Sequence, residues 1–425
     1  MTNALHQALN SFAEEGREYL NLIDSDFHAN GFLPDPEPLK GLCTEYFDNL
    51  LGNRAYKPEA RGSLTARRAI SRYYEHQGVA VDPEHLLLTA SSSEAYSLLF
   101  TQIAEPGNRV LLPLPGYPLF EELAGYAGLE PDFYPLDPDC GWQPELDVLE
   151  SLIQPTTRFI IIISPNNPTG SLVSKESLTA LYAICQNWNI FLIIDEVFRP
   201  FVQAGTLPNI DSRALRGFVS PGVPKLPGST ADPEDQGGTS TPGQFIINGI
   251  SKLCASPDLK LSWIWHHNIP EELAHGLELA NDTYLNCNSL SQHLLPELLN
   301  QAMDPAGVTE RIAGVLRENH HSLLTALESR PDIRTGLEGV ESEDSKELLA
   351  GGIHRILIID WLNPESDEAL ALFLLEKFGV LVHPGYLYGI DEWGAVVLSL
   401  LKEPGVFSRG LERLVQGLAN WRQEQ

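Results

Sequence analysis

Residues Phe245–Trp263 read FIINGISKLCASPDLKLSW. The stretch opens as a continuous apolar run, the pattern of a strand buried on both faces. Lys252 follows directly. Taking an ammonium out of water is expensive, so a lysine at the end of a buried strand invites a chemical explanation. In a partly dry site its pKa falls, and the neutral amine can form a Schiff base with an aldehyde. The structural alternative is a surface lysine at a strand end. Cys254, two residues on, is a small buried side chain or an oxidisable thiol, and packing is the simpler reading.

Two further stretches have the same build. FIIII (159–163) runs into Ser164-Pro165-Asn166-Asn167-Pro168-Thr169-Gly170, and FLII (191–194) runs into Asp195-Glu196-Val197-Phe198. A Pro/Gly-rich loop can be only a turn, and an acid after a strand can be a helix cap. Yet in an open parallel α/β sheet, ligands bind outside the carboxyl ends of the strands. Asn167, Asp195 and Lys252 each stand at such an end, in that order. The helix-like segments between the apolar runs predict right-handed βαβ units.

Together these motifs resemble fold-type I pyridoxal-phosphate enzymes, in particular class I/II aminotransferases. The resemblance runs from about Leu20 to the end of the chain, and the NNPTG element is its most specific part. It implies an α/β fold with a large domain, built on a mostly parallel seven-stranded sheet, and a smaller α+β domain. The large domain is expected over 45–280, with an insert at about 202–243. Residues 1–44 and 281–425 then form the N-terminal arm and small domain. The insert is rich in Pro, Gly, Ser and Asp and predicts a mobile surface segment.

The implied cofactor is pyridoxal 5'-phosphate, held at Lys252, with Asp195 facing the pyridine nitrogen to keep it protonated. Asn167 offers its amide to the ring oxygen. Tyr117, in PGYP, stands where the family stacks an aromatic on the ring. Ser91-Ser92-Ser93 opens a helix after the strand-like HLLLTA, as an ordinary serine cap or as the phosphate cup. In the second reading, the backbone of Ser92 and the hydroxyl of Ser93 meet the phosphate. Ser251 precedes the lysine. Tyr56 matches the tyrosine that reaches a partner subunit's phosphate, which implies a homodimer. His28 and Asn30 lie in an arm that crosses the substrate site in the family, though turn roles suit them better.

Three departures stand out. Phe198 replaces the family's tyrosine near the ring oxygen. Lys260 stands eight residues after Lys252, where the family has an arginine; it keeps the charge but not the planar grip. No arginine lies near Val397, where the family clamps the substrate carboxylate. Arg355, His354 and Lys402 are the nearby basic residues.

A net charge of −29 over 425 residues argues against nucleic acid and anionic membrane as partners. The five cysteines are scattered, without metal-ligand spacing, and suit a reducing cytoplasm. The N-terminal residues show no secretory pattern, and no run is long enough to span a membrane. The expected activity is ping-pong transfer of an amino group from an amino acid or related amine to a 2-oxo acid. A lyase or decarboxylase on the same scaffold is the rival, since one carbanion serves all three. A pyridoxal-phosphate-sensing regulator would carry a basic DNA-binding domain. An inactive relic would not need Lys252, Asp195 and Asn167 together.

Overall fold

The long apolar runs all become strands of one central sheet. In the computed structural model, which describes residues 4–52, 58–204, 243–285, 287–338 and 349–424, these are β1 (Leu86–Thr89), β2 (Arg109–Leu114), β3 (Glu130–Asp137), β4 (Gln143–Pro144), β5 (Thr157–Ile163), β6 (Phe191–Asp195), β7 (Gln244–Gly249) and β8 (Ser262–His267). Their spatial order is β1-β8-β7-β6-β5-β2-β3-β4. Strands β3, β2, β5, β6 and β7 run parallel, while β8 is antiparallel to both its neighbours. The seven expected strands are present, with the two-residue β4 added at the edge.

Burial on both faces explains the unbroken hydrophobicity. Along β5, Ile160 and Ile162 join one core cluster, while Phe159, Ile161 and Ile163 join another across the sheet. Strand β3 escaped the sequence reading because EPDFYPLD is neither continuous nor alternating. It lies beside the sheet edge, where proline costs few ladder bonds.

A second sheet holds β9 (Ile333–Arg334), β10 (His354–Ile359), β11 (His383–Pro384) and β12 (Ala395–Ser399), in antiparallel order β9-β10-β12-β11. Ile356, Ile358 and Val397 pack into the core shared with the large sheet. The alternate residues Leu357, Ile359, Val396 and Leu398 pack under the helices Asp367–Phe378 and Pro404–Glu424. Residues 1 to about 20 read in sequence as an amphipathic helix; the helix observed, Ala4–Glu15, is shorter and buries Leu5 and Phe12. Leu20–Asn21 then pairs with Val380–Leu381, fastening the arm to this half. The pattern from Asp282 onward reads in sequence as the start of one long helical region; Asp282 instead ends one helix, Glu271–Thr283, and a new helix, Ser289–Met303, follows after a break. Asn288 caps the new helix by accepting from Ser291 N.

Candidate active site

Strand pairing brings the three polar signals together. Asp195 lies opposite Ile163 on β5 and Ile247 on β7, and its carbonyl accepts from Ser164 N at 2.9 Å. The NNPTG loop, Asp195 and the chain leading to Lys252 thus leave neighbouring strands at the same edge, strands being about 4.8 Å apart.

Asp195 is 3 % exposed. Its Oδ2 accepts from Tyr96 OH at 3.0 Å and its Oδ1 from Val197 N at 3.1 Å. Burial outweighs these bonds and pushes the carboxyl up to about 6. A buried carboxylate with no cation beside it among the described residues is suited to receive one. Glu196 is already satisfied: Tyr74 OH donates to Oε1 at 2.5 Å and Arg199 Nη1 to Oε2 at 2.8 Å. Of the Asp-Glu pair, only Asp195 can serve a ligand.

Tyr96 was not singled out from the sequence. It lies four residues after Ser92, on the same helix face, and helical side chains lean back toward the N-terminus. Burial raises its pKa well above the ordinary tyrosine value, so it stays a donor. Its ring packs edge-on against Phe120 at 5.0 Å, and Phe120 meets Tyr117 at 6.4 Å. Tyr117 is 46 % exposed and ends this chain of edge-on rings, two rings from the Tyr96 that bonds Asp195.

Lys252 lies in the short helix Ile250–Leu253 directly after β7. Desolvation lowers its pKa, opposed in part by the charge of Asp26. Its Nζ is 5.4 Å from the ring centre of Phe27, in the N-terminal arm, and 5.8 Å from that of Phe198. An amine among two aromatic rings is a better nucleophile than a solvated one because more of it is unprotonated. The arm reaches the site through Asp26 and Phe27. His28 instead bonds Ala255 O at 2.8 Å, which fastens the arm to the segment after Lys252, while Asn30 donates to Asp26 O at 2.7 Å within the local turn.

The two asparagines of the loop divide their work. Asn166 Oδ1 accepts from Thr169 N at 3.2 Å and Thr169 Oγ1 at 3.0 Å, which closes the turn. Asn167 Oδ1 is buried without a hydrogen-bond partner among the described residues. Amide oxygen and nitrogen exchange by a flip, so this end can equally present N–H to an anionic oxygen. Gly170 is obligatory: its φ is +78°, and a Cβ there would lie 2.3 Å from Arg355 Nη1.

At the other end, Ser91 is the N-cap of Ser92–Ile103. Its Oγ accepts from Glu94 N at 3.1 Å, and Glu94 Oε2 accepts from Ala90 N at 2.7 Å. Ser92 and Ser93 therefore occupy the first helical positions, where N–H groups lack intrahelical acceptors. Lys260 is exposed, at φ +49°. Ser262 pairs with Thr89, the last residue before the turn into the Ser92 helix, and Lys260 lies two residues beyond that end of the ladder. Ile250 N bonds Leu261 O at 3.1 Å, which brings the same segment beside Ser251. A helix N-terminus with an adjacent ammonium fits a phosphate. Tyr56 lies outside the described residues.

At the expected carboxylate clamp, Val397 is 1 % exposed and is flanked by Ile356 and His383. Lys402 is tied to Asp24 at 2.5 Å. Arg355 is fully buried and donates to Gly351 O at 2.7 Å and His354 O at 2.6 Å. Cys254 is buried, and its thiol is pushed up by desolvation, as packing requires.

The aminotransferase class I and II family model matches residues 49–403. The glutamate-pyruvate aminotransferase of Haemophilus influenzae is 28 % identical, with 99 % of this chain and 95 % of that protein covered. An S-alkyl-thiohydroximate lyase of Arabidopsis thaliana is 32 % identical over a shorter match, 63 % of this chain and 55 % of that one. The solved alanine aminotransferase of Pyrococcus furiosus superposes with a TM-score of 0.76 at 21 % identity, covering 98 % and 96 % of the two chains. A buried acid, an amine and an orphaned amide at adjacent strand ends match what pyridoxal 5'-phosphate requires. The chain belongs to the aminotransferase class I and II family, as a pyridoxal-phosphate-dependent aminotransferase of fold type I.

Proposed function

We propose that Lys252 is the amine that holds the cofactor's aldehyde and that it moves the proton of the reaction. When bound, pyridoxal 5'-phosphate supplies an exchangeable carbonyl and a protonated ring that withdraws electrons from the substrate's Cα. Asp195 holds the proton on the ring nitrogen, and Tyr96 holds Asp195 in place. Asn167 orients the ring through its oxygen, and Tyr117 covers one face. Ser92, Ser93, Ser251 and Lys260 receive the phosphate. With the cofactor bound, the Lys252 Nζ would be the base that takes the proton from the substrate Cα and the acid that returns it. Water would release the oxo product, and a second oxo acid would take up the nitrogen by the reverse route. The observation that carries this reading is a desolvated amine in the helix that follows the strand next to a buried carboxylate, which has no cation beside it among the described residues.

The working unit is a homodimer. Large apolar side chains support an interface: Phe47, Leu50 and Leu51 on one helix, Tyr284 and Leu285 in the break before another, are 48–83 % exposed. The described cysteines are all free thiols, which supports a cytoplasmic setting. No helix among the described residues is long and apolar enough to cross a membrane. The large unit spans 45–280, and the rest forms the arm and small unit.

A half-reaction tests the chemistry. Holoenzyme mixed with an amino donor alone is expected to release one oxo product per site and retain the nitrogen on the cofactor. Free ammonia or carbon dioxide, with the cofactor's original absorbance retained, would instead support the lyase or decarboxylase reading, which the Arabidopsis relative keeps in view.

A further inference from the structure

The wall opposite Lys252 contains a feature that the family pattern does not explain. Strand β12 carries Val397 at its centre, with His383 of β11 directly opposite on one side. On the other side, His354 of β10 lies opposite Ser399, two residues along. Cross-strand partners and residues two apart share a face of the sheet. His354, Ile356, Val397 and His383 therefore project together. The charge of Lys252 acts on His354, so this face lies toward the Lys252 helix. Two imidazoles thus flank the position where an arginine would reach the substrate.

Their hydrogen bonding is incomplete. His354 Nδ1 is buried with no partner among the described residues. His383 Nδ1 is 3.0 Å from Tyr388 OH. Burial raises the Tyr388 pKa, so it acts as the donor and leaves the His383 proton on Nε2. The alternatives are engaged elsewhere: Arg355 projects to the opposite face and bonds backbone carbonyls, and Lys402 is paired with Asp24.

We propose that His354 and His383 form the subsite for the carboxylate of the amino and oxo acid substrates, and that the anion binds together with one proton. The proposal rests on the aminotransferase reading above. The surroundings supply the reason for the proton. Desolvation, then the charge of Lys252, holds the His354 imidazole down to about 3, and desolvation lowers that of His383. Both are neutral in the free protein. The charge of Arg355 also reaches His354, but that guanidinium lies across the sheet and is held by the backbone carbonyls of Gly351 and His354; the remaining titratable groups nearby are Asp26, which acts on Lys252, and Tyr117, which acts on Tyr388. Two neutral donors leave a desolvated carboxylate uncompensated, and a proton taken up with it restores the balance. A guanidinium would bring its charge permanently; here it arrives with the ligand.

The test uses holoenzyme and propionate, an unreactive carboxylate, with propionamide as the uncharged isostere. Between the free and the liganded imidazole pKa, the propionate Kd is expected to rise about tenfold per pH unit. Calorimetry in two buffers of different ionisation enthalpy should show about one proton taken up per anion. The cofactor's absorbance reports its own protonation separately, so that contribution is subtracted. Propionamide should bind without a pH slope. His354→Gln should weaken propionate about tenfold and flatten the slope, while Val397→Arg should flatten the slope and keep or tighten binding. Coloured holoenzyme that binds propionate independently of pH, or His354→Gln and His383→Asn that both bind it as the parent does, would overturn the subsite alone. A protein that takes up no cofactor would overturn the aminotransferase reading instead.

Discussion

Asp195 carries the clearest energetic signature at the scale of single residues. Below pH 3.8 it is protonated whether the chain is folded or not. Between there and about pH 6 the unfolded chain releases the proton while the native state retains it. Stability of the cofactor-free protein should therefore fall as pH rises through that window, by about 3 kcal/mol, and level off above it. Urea titrations from pH 4 to 7 should show the fall, and Asp195→Asn should remove it. A protonated ring nitrogen beside the carboxylate would favour its ionised form, so cofactor loading should shrink the same slope. Phe198 permits a second test. It is 6 % exposed, with its ring near Lys252, and offers no hydroxyl to the cofactor. Phe198→Tyr should shift the pH at which the cofactor changes colour; identical titrations would remove that residue from the account. Lys252, Asp195 and Asn167 were legible because each ends an apolar run. Tyr96 and His383 were not, because each owes its place to a contact between distant segments: Tyr96 with Asp195, and His383 with Val397 through pairing.

Elements show the same division. The buried parallel strands declared themselves by unbroken Val, Ile, Leu and Phe. Strand β3 did not, because it lies beside the edge and carries Pro131 and Pro135. The break between Thr283 and Ser289 was invisible because both flanks are helical in pattern; Leu285 sits there at φ +63°. At the phosphate end, the capping box of Ser91 and Glu94 fixes where the helix starts, which composition alone could not separate from Ser92 or Ser93. Lys260, exposed just before the start of β8, is proposed to meet the phosphate with a single ammonium. Lys260→Arg should add a two-point grip and slow cofactor release several-fold in dialysis, with little change in folding stability. An unchanged release rate would place the anion elsewhere.

At the scale of the molecule, two sheets share one core, and the amine lies where they meet. That plan followed from the order of motifs along the chain. The partner-facing surface did not, because exposed apolar residues have meaning only once the fold shows that they are exposed. Leu51 is 83 % and Leu285 61 % exposed. If they bury against a second copy, Leu51→Glu with Leu285→Glu should yield monomers in sedimentation at micromolar concentration, with weakened cofactor retention. Dimers of unchanged affinity would put the interface on another face. The most direct measurement concerns the single covalent bond on which the reading depends. Holoenzyme reduced with borohydride and digested should yield one cofactor-labelled peptide, with the label on Lys252, and none from Lys252→Ala. Label on another lysine, or on no peptide of a protein that has bound the cofactor, would contradict the account.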